Sequence, residues 1–109
     1  MMLLTKENRK ALPALYSTDS TPEGEKMAVV KLFDPCGRFT LYVVEFDQAD
    51  TLFGYTISPL GPDCDEYGYA SLSELASVKN RLGLGIERDR HFTPKPMTAV
   101  LAERGKAAA

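Results

Sequence analysis

The stretch that decides the fold is Phe39-Thr-Leu-Tyr-Val-Val-Glu-Phe46. Large apolar side chains occupy both of its alternating sets of positions: Phe39, Leu41 and Val43 on one face, and Tyr42, Val44 and Phe46 on the other. Successive side chains of a β-strand point to opposite faces of the sheet. A strand that is apolar on both faces is typical of the covered centre of a sheet. We therefore predict that residues 39–46 form a central strand.

Shorter apolar runs on either side of this stretch predict its neighbours in the sheet. They are Met27–Phe33, Leu52–Ser58, a short strand at Tyr67–Ala70 and an edge strand within Ile86–Phe92. The connection Asp47–Asp50 is short and polar, which predicts a hairpin between the second and third strands. Asp34-Pro35-Cys36-Gly37 is a turn sequence that ends the first strand.

One helix is predicted before these strands in the sequence, and two are predicted in the C-terminal half of the chain. Residues 1–16 contain an N-terminal helix with Thr5 as its N-cap. Ser71-Leu72-Ser73-Glu74 has the spacing of a capping box and starts a second helix, and a third starts at Thr93-Pro94-Lys95-Pro96. The polar stretch 17–26 is expected to be an exposed loop, and residues 104–109 to fray.

The order of these elements predicts the α+β class. We expect a mostly antiparallel sheet of four to five strands, with an N-terminal helix and two helices in the C-terminal half. The chain of 109 residues is the size of one domain, so we assign 1–109 to a single domain.

Charge and composition exclude some classes of function. With 13 basic and 15 acidic residues the net charge is -2, which provides no general attraction to nucleic acid or anionic membrane. Apolar runs are strand-sized, far below the roughly 20 residues of a spanning helix. The first ten residues lack the order of charge and apolar core found in a secretory signal. We expect a cytoplasmic protein with no membrane contact.

The chemistry-bearing residue types form no catalytic or metal-binding motif. Cys36 and Cys64 lie in separate turns, and either free thiols or a disulfide fits them, with free thiols the preferred interpretation in a cytoplasmic protein. His91 is the single histidine, without the companions of a nucleophilic site. We predict no cofactor and lean towards a non-enzymatic protein.

Three carboxylates offer one alternative. Glu45 and Asp47 are two residues apart and would share a face of an extended strand. Asp50 could join them across the turn, making a magnesium or calcium site of a metal-dependent hydrolase. The preferred interpretation is a solvated acidic turn, because Asp is a common turn residue.

A second alternative is binding of single-stranded nucleic acid. Arg81, Arg88 and Arg90 lie in a short region, and exposed aromatic side chains of a sheet can stack on bases. Glu87 and Asp89 interleave with these arginines, which weakens the prediction.

Aromatic residues in the strands are the remaining feature. Most should fill the core, because the chain has no tryptophan. If Tyr55 and Tyr69 are exposed beside Glu45, they would form a protein-binding patch, since Tyr combines apolar area with a hydroxyl.

An ordered set of short motifs resembles a known family. The motifs are Leu3-Leu4-Thr5-Lys6-Glu7, Leu12-Pro13, Leu15-Tyr16, Glu45-Phe46-Asp47, Phe53-Gly54-Tyr55, Gly68-Tyr69, Ser71-Leu72-Ser73-Glu74-Leu75, and Ile86-Glu87-Arg88-Asp89 before Phe92 and Pro94. Together they resemble the bacterial family catalogued as domain of unknown function 2958. The resemblance implies a small, stand-alone protein of plasmids, integrative elements or phages. It implies no activity and no catalytic residues.

The leading hypothesis is therefore a non-enzymatic accessory protein that acts by contact with an unknown protein partner.

Overall fold

The computed structural model describes residues 3–80 and 82–108, and its largest element is a five-stranded antiparallel sheet. The strands in chain order are β1 (Met27–Ala28), β2 (Val30–Phe33), β3 (Thr40–Phe46), β4 (Thr51–Ile57), β5 (Glu66–Ser71), β6 (Glu87–Arg88) and β7 (Lys95–Pro96). The sheet order is β5–β4–β3–β2–β6, while β1 and β7 pair separately. With helices α1 (Lys6–Ala11), α2 (Leu72–Ser77) and α3 (Met97–Ala108), this confirms the predicted α+β class.

The central strand β3 is buried along its whole length, as its two apolar faces predict. One face packs against Leu4, Leu12 and α2, and the other against Met97 and Val100 of α3. Burial of these side chains is the main stabilising contribution to the fold. Among the residues described, no helix is both long and apolar enough to cross a membrane.

A β-bulge interrupts the alternation within β3. Val43 lies opposite Gly54, but the next regular pair is Glu45 with Phe53, so one extra residue is accommodated between them. An extra residue reverses which face the following side chains occupy. Phe46 accordingly packs in the same cluster as Leu41 and Val43. The prediction that Phe46 shares a face with Tyr42 is wrong for this reason.

The helix boundaries differ in part from the prediction. Thr5 caps α1 as expected, in a reciprocal capping box with Asn8. Ser71 caps α2 and accepts a hydrogen bond from the Glu74 amide at 3.2 Å. The third helix begins at Met97, not at Thr93, because Lys95–Pro96 is extended and pairs with Met27–Ala28. Residues preceding proline favour extended conformations. Helix α3 continues to Ala108 and includes most of the segment expected to fray.

The loop at residues 17–26 is mostly exposed, with one exception at its end. Lys26 is only 7% exposed, and its ammonium donates hydrogen bonds to the carbonyl and hydroxyl oxygens of Thr18. A short 3₁₀ turn at Glu23–Glu25 precedes it. The prediction of an exposed loop is therefore wrong at Lys26, which folds back onto the protein.

The two cysteines lie at one end of the sheet. Cys36 and Cys64 are both exposed free thiols. Cys36 precedes Arg38 by two residues and Cys64 directly precedes Asp65. Arg38 and Asp65 form a bidentate ion pair, with N–O distances of 2.8 and 2.9 Å. The pair joins the turn after β2 to the loop after β4, and it holds the pKa of the Asp65 carboxyl below its usual value.

Candidate functional site

All five tyrosines of the chain lie along one aromatic row across the sheet, which we call the tyrosine row. In order it comprises Tyr16, Tyr69, Phe53, Tyr67, Tyr55 and Tyr42. The first four neighbouring pairs have ring centroids 6.4, 5.0, 5.6 and 5.2 Å apart, within the range of favourable aromatic contact. The strand register produces this row, because Phe53 lies opposite Tyr69, and Tyr55 lies opposite both Tyr67 and Tyr42.

The row is buried at one end and open at the other. Tyr42 is 3% exposed, beside the residues that α3 packs onto the sheet, whereas Tyr69 is 58% and Tyr16 62% exposed. Tyr67 is partly covered, and its hydroxyl donates to the carbonyl of Glu23. Burial raises the pKa of Tyr67 to about 12. Tyr16 and Tyr69 thus form the open end, and the other rings support them from within.

A buried carboxylate holds the open end in place. Glu45 is 2% exposed, and it accepts hydrogen bonds from the Tyr16 amide at 2.8 Å and the Thr18 amide at 3.1 Å. The Thr18 hydroxyl donates to the same carboxylate. Tyr16 has a φ of 67°, which is uncommon for a residue with a side chain. The carboxylate satisfies the amide that this conformation turns towards the sheet.

The bulge in β3 explains why Glu45 can reach this segment. It pairs with Phe53, so its side chain lies on the face of the tyrosine row and not with the aliphatic cluster. Burying a charge is costly unless it is well hydrogen-bonded. Thr18 bonds to Glu45 and also to the buried Lys26, whose ammonium lies 6.0 Å from the Phe53 ring centroid. Glu45 therefore positions Tyr16 from behind and offers no exposed surface of its own.

The predicted set of Tyr55, Tyr69 and Glu45 is only partly brought together. Tyr69 is exposed and lies near Glu45. Partial desolvation, followed by the nearby Tyr16, Asp19 and Glu45, raises the pKa of its hydroxyl. Tyr55 is half-buried in the interior part of the row. Tyr16 was not among the site residues predicted from the sequence. Its position at the start of a polar stretch was the available signal.

The three carboxylates proposed as a metal site serve separate structural purposes. Asp47 accepts from the amides of Ala49, Asp50 and Thr51 at 2.8 to 3.0 Å, and these bonds lower the pKa of its carboxyl. Asp50 accepts from the Ser73 amide and from the hydroxyls of Ser71 and Ser73, which lowers its pKa. Glu45 accepts hydrogen bonds from Tyr16 and Thr18. Within residues 3–80 and 82–108, no three His, Cys, Asp or Glu side chains are grouped to hold a metal ion.

Two of the three predicted arginines, Arg88 and Arg90, lie away from the exposed tyrosines. Arg88 is in β6, at the opposite edge of the sheet from β5, and donates to the Leu3 carbonyl at 3.1 Å. Arg90 is exposed just beyond it, and Asp89 pairs with Lys31 at 3.7 Å. Arg81 is outside the described residues. The structure does not bring Arg88 and Arg90 together with Tyr16 and Tyr69.

Comparison with protein families gives one match, to a family model described as Protein of unknown function (DUF2958), over residues 3–109. The chain belongs to this family. The match confirms the resemblance drawn from the short motifs, and it contains the whole tyrosine row and Glu45. Comparisons with curated proteins and with solved structures found no match. Membership of DUF2958 therefore assigns no activity to the chain, and its function is inferred from the geometry of the tyrosine row.

Proposed function

We propose that this DUF2958 protein is a non-enzymatic accessory protein that acts by protein–protein contact, through the open end of its tyrosine row. The observation that carries the proposal is the joint exposure of Tyr16 and Tyr69, with the Tyr16 backbone held by the buried Glu45 and the Tyr69 ring packed against Phe53. Tyrosine is enriched at the energetic centres of protein interfaces. Exposed rings that are already ordered lose little conformational freedom when a partner binds.

The charges around the open end indicate the chemistry of the partner. Asp19 is exposed beside Tyr69, and the nearby ammonium of Lys26 is buried against Thr18. Tyrosine faces and a carboxylate attract cations, whereas they repel phosphates. The proposed partner therefore presents an arginine or lysine side chain among apolar residues. The same charges favour a protein over single-stranded nucleic acid at this site.

The proposal includes a cellular setting. Cys36 and Cys64 are exposed free thiols, and free thiols are typical of a reducing compartment such as the cytoplasm. The plasmid, integrative-element or phage setting follows from the family resemblance and is part of the proposal. Neither alternative activity gains support from the geometry of the described residues. Arg88 and Arg90 lie at the far edge of the sheet from the exposed tyrosines, and Glu45, Asp47 and Asp50 bind different amides and hydroxyls.

Quantitative capture from a nuclease-treated lysate of the encoding organism tests the proposal. The immobilised wild type is compared with Tyr16→Ser/Tyr69→Ser and with a control, Leu60→Ser/Leu82→Ser, which removes two other exposed apolar side chains. We expect a protein retained by the wild type and the control, with retention by the tyrosine variant at least about tenfold lower, since interface anchors contribute about 2 kcal/mol each. Circular dichroism verifies that each variant is folded.

Two results would contradict the proposal. One is equal retention of every captured protein by the tyrosine variant and the wild type. The other is retention that nuclease treatment abolishes, together with a salt-dependent gel shift on single-stranded DNA or RNA, which would establish the nucleic-acid alternative.

A further inference from the structure

Strand β5 is an open edge of the sheet. It pairs with β4 on one side, and among residues 3–80 and 82–108 no second strand pairs with its other side. The strand has six residues, contains no proline and carries one charge, on Glu66. Natural proteins usually protect such edges with charges, prolines, bulges or short strands, because unpaired backbone groups are a template for another strand. Nothing of this kind interrupts β5 after Glu66.

The sequence of β5 is complementary to itself in one antiparallel register. A two-fold axis perpendicular to the sheet at Gly68 sets Gly68 against its own copy, and Tyr67 against Tyr69 of the second copy. Residues directly opposite each other share a face, so both cross-strand pairs are aromatic and lie on the face of the tyrosine row. Glu66 then faces Ala70 of the second copy, and no like charges oppose each other.

Space at the proposed axis supports this register. A Cβ atom added at Gly68 would point off the face opposite the tyrosine row and would meet nothing within 4 Å, so no side chain crowds that face beside the proposed axis. The tyrosines next to it already contact Phe53 and Tyr55 within their own sheet. Pairing at Gly68 would continue the same series of aromatic contacts into the second copy.

We propose that two copies of this chain pair through β5, antiparallel about Gly68, and join their sheets into one. Such an interface is isologous, the commonest symmetry of protein dimers. Pairing places two tyrosine rows side by side on one face, so the dimer presents two partner surfaces together. This proposal goes beyond the function proposed above and does not depend on it.

Sedimentation velocity of the purified full chain over a concentration series tests the pairing. We expect the wild type to reach twice the mass of the single chain. Gly68→Lys sets two like charges against each other at the axis and should abolish the dimer, while its open surroundings leave the fold intact. Ala102→Lys is the charge-matched control on the exposed side of α3 and should dimerise like the wild type. A wild type that stays monomeric throughout, or a Gly68→Lys variant that still dimerises, would overturn the proposal.

A crosslinking experiment tests the register. In a Cys36→Ser/Cys64→Ser background, Gly68→Cys places two thiols on directly opposite residues, where Cα atoms are about 4.5 to 5.5 Å apart and within disulfide reach. Mild oxidation should give a covalent dimer, and Ala102→Cys should not. Equal crosslinking of the two variants would contradict the register. A monomeric wild type that still captured a protein through Tyr16 and Tyr69 would refute self-pairing and leave the proposed function standing.

Discussion

The two edges of the sheet are built in opposite ways. At one edge, β6 consists only of Glu87 and Arg88, and the chain around it is bonded to its neighbours: Arg88 donates to Leu3, and the Asp89 amide donates to the Lys31 carbonyl at 2.9 Å. At the other edge, β5 is three times as long, has one charged residue and lies beside exposed tyrosines. The first edge is closed by short length and charge, which is how proteins prevent pairing; the second is left open.

This contrast explains why the basic region is the weaker candidate site. Arg88 donates a hydrogen bond to the carbonyl of Leu3 and holds the N-terminal segment, Arg90 is exposed, and the carboxylates of Glu87 and Asp89 offset the positive charge around both. The open end of the tyrosine row combines apolar area with hydroxyl groups, and its Tyr16 backbone is held by the Glu45 carboxylate. Binding energy concentrates where such anchors are ordered before the partner arrives.

The largest expected effect is on stability, and it distinguishes two glycines that form a cross-strand pair. Gly54 and Gly68 are cross-strand partners, but a Cβ at Gly54 would collide with the Tyr42 carbonyl oxygen, whereas one at Gly68 meets nothing. We expect Gly54→Ala to lower the free energy of unfolding by about 3 kcal/mol and Gly68→Ala to change it by less than about 0.5 kcal/mol. Urea unfolding measures both. Similar losses of unfolding free energy in the two variants would contradict the view that Gly54 is tightly packed in the sheet while Gly68 lies at an open edge.

Removing the support of the open end should have the next largest effect. Glu45→Ala leaves the Tyr16 and Thr18 amides without their acceptor, and we expect a loss of about 2 kcal/mol in the free energy of unfolding. Partner capture should also fall, because Tyr16 is no longer held. Glu66→Ala, on the exposed start of β5, is the control and should leave stability unchanged. Unaltered capture by Glu45→Ala would show that Glu45 does not position the surface.

Acid should weaken the hairpin between β3 and β4 and the start of α2. Hydrogen bonds lower the pKa of Asp47 and Asp50 in the folded state from the usual 3.8. Because each folded pKa lies below the unfolded one, the stabilisation is complete above about pH 4 and is lost as the pH falls through the folded values. Urea midpoints measured from pH 7 to pH 2 should decline less steeply for Asp47→Asn/Asp50→Asn than for the wild type. An equally steep decline in the double variant and the wild type would contradict this role of the two carboxylates.

The smallest expected effect is at the closed edge. Arg90→Ser removes an exposed charge next to β6, and we expect both stability and partner capture to remain at wild-type levels. The same capture assay that detects the loss in Tyr16→Ser/Tyr69→Ser provides the measurement. A larger loss of partner capture in Arg90→Ser than in Tyr16→Ser/Tyr69→Ser would place the binding surface at the β6 edge and contradict the account.

Local patterns in the sequence were sufficient for the sheet and insufficient for the site. Alternating apolar residues in Phe39–Phe46 and the turn residues around them predicted most strands and the class, because burial and turn geometry act over few residues. The single strand predicted at Met27–Phe33 is wrong, since it is divided between β1 and β2, which lie in different sheets. The bulge after Val43 has no such pattern in the sequence. The simple alternation therefore assigned Phe46 to the wrong face of the sheet and gave no sign that Glu45 bonds to the Tyr16 segment. Long-range pairing also decided the start of α3, where Lys95–Pro96 joins β1 instead of the helix.

The site residues show the same limit. Tyr69 was named as a candidate only on the condition that the sheet left it exposed beside Glu45. Tyr16 was not, because its exposure depends on a bond to Glu45, 29 positions away. Grouping Glu45, Asp47 and Asp50 by sequence spacing assumed a regular strand, and each carboxylate proved to bind a different set of amides and hydroxyls.

Site-specific photocrosslinking tests the central claim most directly. A benzophenone amino acid is placed at position 69 in one variant and at position 90 in another, and both are irradiated in the cells that encode the chain. We predict covalent adducts with a protein other than a second copy of this chain from position 69, and none above background from position 90. Adducts formed only from position 90, or formed with nucleic acid from position 69, would contradict the account.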